Sequence, residues 1–89
     1  MQVTVKAFGM VRNLLGQQEF TLDLPEDATV RAAIARLIEL SGVSPDALLS
    51  ADGNKLKVRA IVNGAAAVLD SPLQDGAELN LMLAIGGGA

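Results

Sequence analysis

The sequence predicts an α+β domain, with a sheet of four to five strands packed on one main helix. Three observations carry this. Two runs near the N-terminus alternate apolar and polar residues with a period of two. One stretch in the middle repeats its apolar residues at i, i+3, i+4, i+7 and i+8. Three further strand-like runs follow, the first closed by Asn63-Gly64. Period two marks a strand with one buried face, and the helical spacing marks one apolar stripe.

Gln2 to Phe8 is the first strand, with Val3, Val5 and Ala7 on one face and Thr4 and Lys6 on the other. Gly9 to Gly16 holds Met10, Val11, Leu14 and Leu15 and reads as a short helical link closed by Gly16. Gln18 to Leu24 alternates again, with Phe20, Leu22 and Leu24 facing one way. Two such runs joined by a compact link predict an antiparallel pair. Pro25 ends the strand, and Thr29 is placed to cap a helix with its hydroxyl. Glu26 and Asp27 lie upstream, favourable for the positive end of the helix dipole. Val30, Ala33, Ile34, Leu37 and Ile38 form the helix stripe, and Gly42 follows its end.

Residues 43–56 are irregular, with one helical turn expected over Asp46 to Leu49. Lys57 to Val62 reads as a strand. Asn63-Gly64 is a strong hairpin turn, since both central residues of that turn need positive φ. Ala66 to Leu69 is the expected return strand, and Ala77 to Ala84 is the last one, with Leu79, Leu81 and Leu83 on one face. Such a stripe reads first as core and second as a docking surface.

Composition narrows the chemistry. The chain has 89 residues, 51% of them hydrophobic, which is enough for one aliphatic core. Cysteine and histidine are both absent. That removes thiolate chemistry, Cys/His metal sites and the usual general base, and it leaves the serines without a triad partner. The lack of cysteine fits a reducing, cytoplasmic setting. Net charge is −3, and Lys55, Lys57 and Arg59 are the densest basic stretch, so nucleic acid is not an expected partner. No apolar run approaches the ~20 residues that span a membrane, and none resembles a signal peptide.

What remains is the C-terminus, Ala84-Ile85-Gly86-Gly87-Gly88-Ala89. A glycine run has no side chain to bury and loses much backbone freedom on ordering. It reads as a thin, flexible tail over residues 85–89 on a domain over residues 1–84. Five residues extend ~16–18 Å at full stretch, long enough to thread a carboxylate into a partner's active site.

Several short motifs now line up in order: Val3-Thr4-Val5-Lys6-Ala7-Phe8, Arg12-Asn13-Leu14-Leu15-Gly16, Leu24-Pro25, Ala28-Thr29-Val30, Val62-Asn63-Gly64, Asp70, Leu73, Asp75-Gly76 and the glycine tail. Together they resemble the ubiquitin-like sulfur carriers of the MoaD/ThiS type. These include the small subunit of molybdopterin synthase, the thiamine sulfur carrier and the ubiquitin-like small modifiers of archaea. The resemblance implies a β-grasp fold with a mixed sheet.

It also implies a site. The family ends in Gly-Gly, and Gly87-Gly88 fall in that place, Gly88 lying twelve residues after Gly76. By resemblance, Gly88 carries the reactive carboxylate, Gly86 and Gly87 are recognised by the partner's channel, and Ala89 is a residue for a protease to remove. The implied partners are a ubiquitin-activating-type adenylating enzyme that uses ATP, a sulfur donor, and the large subunit of molybdopterin synthase. The chain itself is then a carrier with no catalytic side chain and no bound cofactor. Two alternatives stand beside sulfur carriage: a protein modifier joined to lysines through Gly88, and a non-covalent adaptor with an inert tail.

Overall fold

The computed structural model describes residues 1–83. The elements run β1 (Gln2–Ala7), α1 (Gly9–Leu15), β2 (Glu19–Asp23), α2 (Val30–Ser41), α3 (Pro45–Leu48), β3 (Val58–Val62), β4 (Ala65–Ala67) and β5 (Glu78–Leu83). They build one five-stranded sheet of order β2-β1-β5-β3-β4. β1 and β5, the two central partners, are parallel, and the other pairs are antiparallel. This is the mixed sheet and single main helix of a β-grasp fold. The expected domain boundary at residue 84 and the tail over 85–89 lie outside the described residues.

The alternation seen in the sequence sets which face is buried. Val3, Val5 and Ala7 of β1, Phe20 and Leu22 of β2, and Leu79 and Leu81 of β5 all face the core. Against them α2 lays Val30, Ala33, Ile34 and Leu37, the expected stripe. Ile38 is only partly buried at its margin. Gly42 ends α2 in the left-handed region at φ 73°, with its N–H bonded to the Ile38 carbonyl at 3.0 Å. The last strand keeps Leu79 and Leu81 in the core and leaves Leu83 half-buried.

Two local expectations change. Thr29 does precede α2, but its hydroxyl makes no capping bond. The N–H of Val30 donates to the Ser71 carbonyl at 3.0 Å, and the N–H of Arg31 donates to the Leu69 carbonyl at 2.9 Å. A neighbouring chain segment thus supplies the acceptors that a side chain usually offers to a helix start. The return strand occupies Ala65–Ala67 rather than Ala66 to Leu69. The reason is the same pair of bonds. Leu69 is drawn toward the helix start, so the β3–β4 ladder stops at Ala60↔Ala67. In α1 the core takes Val11 and Leu15, one turn apart, whereas Met10 and Leu14 face solvent.

Candidate functional site

The chemistry expected of this chain lies at Gly88, with Gly86, Gly87 and Ala89 beside it. All four are outside the described residues. What the fold shows is the platform from which they depart. β5 runs through the centre of the sheet, between β1 and β3, and reaches Leu83 opposite Val58. At the root of the C-terminal segment, Leu81 is thus held by both β1 and β3, and Leu83, the last described residue, by β3.

A shallow groove of about 340 Å³ opens beside that root, lined by Phe8, Gly9, Met10, Met82 and Leu83. Two elements build it. β1 ends at Ala7, and the Phe8 N–H donates to the Leu81 carbonyl at 3.0 Å, which pins the chain against β5. Gly9 then turns into α1 with φ 56°, a left-handed conformation that suits glycine. Phe8 stays 40% exposed and Met10 57% exposed as a result. Aromatic and methionine side chains left open together are the usual make-up of a protein-docking patch. None of the groove's five residues is titratable, so it can bind a partner but cannot move a proton.

The solvent face of the sheet continues from this groove. Lys6 and Glu78 form a salt bridge across it at 3.3 Å. Asn80 sits between Lys6 of β1 and Ile61 of β3 by register. Its Oδ1 is buried without a hydrogen-bond partner among the described residues. An unpaired buried acceptor is unfavourable in isolation.

Elsewhere the electrostatics are local. Asp52 is held below the usual carboxylate range, first by the Ser50 hydroxyl at 2.6 Å and then by the Asn54 N–H at 3.0 Å. It belongs to a solvent-facing turn. Among the described residues no group of three acidic side chains is placed to hold a metal. No described helix is long and apolar enough to cross a membrane.

A five-stranded mixed sheet of this order wrapped on one main helix, with the last described strand central, defines the ubiquitin-like β-grasp class. Solved structures agree. SAMP1, the small archaeal modifier protein of Haloferax volcanii, superimposes with a TM-score of 0.86 at 27% identity, over 99% of this chain and all of that one. The putative molybdopterin converting factor subunit 1 of Pyrococcus furiosus gives 0.77 at 28% identity, over 93% of this chain and 97% of that one. A chain in the complex of molybdopterin-converting factor subunits 1 and 2 from Helicobacter pylori gives 0.60 at 20% identity, over 93% of each, a likeness of fold alone. No curated protein matches the sequence. The chain belongs to the ThiS family, whose model matches residues 5–88.

The sequence motifs named the family and pointed past the described residues. The groove at Phe8 and Met10 was not foreseen as a site. Its signal was present as two large apolar residues flanking Gly9, in a link too short to bury both.

Proposed function

We propose that this chain is a sulfur carrier whose Gly88 carboxylate is activated and turned into a thiocarboxylate. The observation that carries the reading is the extent of the family match, which runs through residue 88 and stops before Ala89. A protease that removes Ala89 exposes the Gly88 carboxylate. An adenylating enzyme of the ubiquitin-activating type then acts with ATP. A carboxylate oxygen attacks the α-phosphorus, pyrophosphate leaves, and an acyl-adenylate forms. A sulfur donor's sulfide displaces AMP at the acyl carbon and gives the thiocarboxylate. Transfer of that sulfur to an acceptor and uptake of water return the carboxylate.

The chain's own part is to present and to dock. The groove of Phe8, Met10 and Met82 lies at the tail root, where a partner grips the domain while the glycines enter its channel. Burial of these side chains contributes on the order of 25 cal/mol per Å² of apolar surface, which offsets the ordering of the tail at ~1–2 kcal/mol per residue. The likeness to the Pyrococcus furiosus protein supports molybdopterin biosynthesis as the destination, with the synthase large subunit as partner.

The test is intact mass. A form ending at Gly88 is incubated with ATP, the adenylating enzyme and the sulfur donor of its native host. The expected product has one oxygen replaced by sulfur at the terminal glycine. A mass that does not change under turnover of ATP overturns the reading.

The likeness to SAMP1 favours a second reading, conjugation to lysines through Gly88. Gly-Gly remnants in isopeptide linkage on cellular lysines are its signature. The two readings share the adenylate and differ in the nucleophile that takes it.

A further inference from the structure

A second groove, of about 460 Å³, lies on the opposite side of β3 from β5, between β3, the segment after β4 and residues 54–56. Its volume falls within the roughly 300–1,000 Å³ of ordinary ligand clefts. We propose that it binds an extended, acidic peptide segment of a partner protein, separately from the tail.

The groove exists because of a broken ladder. Residues of an antiparallel strand address their two neighbours alternately. The Asn63 N–H donates to the Glu78 carbonyl at 3.0 Å, so odd positions of β3 address β5 and even positions address β4. Ala60 and Val62 find Ala67 and Ala65. Val58 is the next even position, and Leu69 would be its partner had the ladder continued. Leu69 instead gives its carbonyl to Arg31 at 2.9 Å, and the two strands part. By this alternation the Val58 N–H and C=O face the floor of the groove, where Val58 is 4% exposed and has no β4 residue opposite in the ladder. An extended backbone that enters there meets a donor and an acceptor at strand spacing, the pattern by which sheets capture peptides.

The side chains choose the occupant. Leu56, Ala67 and Val68 supply the accessible apolar wall, over the buried Val58, Ala60 and Leu69. Lys55 and Arg59 line the same groove, and neither forms a salt bridge among the described residues. In a chain of net charge −3, two unpaired cations on one apolar groove form a local positive patch. Complementary charge selects a segment with carboxylates flanking small apolar side chains, and it disfavours a basic one.

The test uses the full chain, labelled with ¹⁵N, and two capped peptides: Val-Asp-Val-Glu-Val and its counterpart with lysines for both acids. The acidic peptide is expected to shift the amides of Val58, Val68 and Leu69. The lysine peptide is expected to leave them in place. Lys55→Glu with Arg59→Glu is expected to weaken the acidic peptide about tenfold. If that variant does not fold, rising salt must weaken the peptide's binding to the unaltered chain in the same sense. Four results overturn the proposal: no shift at these amides, equal shifts from both peptides, shifts centred on Phe8 and Met82, or binding that ignores salt. A truncation after Leu83 that by itself moves the Ala67, Val68 and Leu69 amides also overturns it, because the occupant is then the chain's own end.

Discussion

Asn63 and Glu78 hold each other twice. The Asn63 N–H donates to the Glu78 carbonyl at 3.0 Å, and the Glu78 N–H donates to Asn63 Oδ1 at 2.9 Å. The hairpin turn is thereby tied to the first residue of the central strand. Asn63 also takes a left-handed φ of 49°, which asparagine tolerates better than most residues. The Val62-Asn63-Gly64 motif is thus a turn signal and a cross-strand clamp in one.

This arrangement separates three substitutions. Asn63→Ala removes the acceptor and keeps the strained φ, and should destabilise by about 2 kcal/mol. Asn63→Gly relieves the φ but loses the acceptor, and should fall between alanine and the native chain. Asn63→Asp keeps both and should cost least. Urea unfolding midpoints check the order; an alanine variant as stable as the aspartate one would contradict it.

The helix start gives a sharper contrast. Thr29 has the residue type of a cap without the capping bond, so Thr29→Ala should change stability by less than about 0.5 kcal/mol, against the ~1 kcal/mol of a working cap. Ser71 should matter more. Its Oγ accepts the Val68 N–H at 2.9 Å and so holds the segment whose carbonyls cap α2. Ser71→Ala is expected to cost about 1 kcal/mol, or roughly 4–8 °C in Tm for a domain of this size.

Leu48 shows where periodicity stopped being informative. It is fully buried, yet it lies on the single turn Pro45–Leu48, too short to display a helical stripe. Leu69 and Leu73 are buried from irregular segments in the same way. Leu48→Ala should cost about 2–5 kcal/mol, as for a cavity in a close-packed core. Leu40→Ala, at a helix position left half exposed, should cost far less. Thermal denaturation of the pair tests the assignment.

The same logic separates what was legible in the chain. Val3, Val5 and Ala7, or Val30, Ala33, Ile34 and Leu37, announce their faces because each element repeats its own period. The end of β4 does not, because Ala66 to Leu69 has the composition of a strand and is cut short by Arg31 and Val30, far away in sequence. The capping of α2 by carbonyls has no side-chain signature at all. The glycine run lies outside the described residues; in the sequence it invites a functional explanation for the opposite reason, since it offers no packing value.

Asp52 carries a pH prediction of known sign. Hydrogen bonds from Ser50 and Asn54 favour its charged form, so its folded-state pKa is lowered. The stabilisation it gives the turn is present above the pKa of the unfolded chain. It is lost as pH falls through the lower folded value. The carboxyl ¹³C shift of Asp52 should titrate below the ordinary aspartate range, and Ser50→Ala should move the midpoint up. A midpoint that ignores Ser50 would show that the hydroxyl bond does not govern the turn.

The tail-root groove yields the functional prediction. Met10 is more than half exposed and is not one of the buried core residues, so its replacement should spare the fold. Met10→Asp places a charge where an apolar partner surface is expected to close. Desolvating that charge without a counter-ion opposes docking, and loss of an interface anchor is worth about 2 kcal/mol or more. Adenylation of the Gly88-ended form should then fall at least about tenfold in kcat/KM, through KM, with Tm shifted by no more than about 4 °C. The control is Leu40→Asp, at a similarly exposed position on α2, which should leave adenylation unchanged. Equal loss from both variants would mean that charge anywhere on the domain opposes the enzyme. Loss from Met10→Asp alone locates the docking surface beside the strand that delivers the tail.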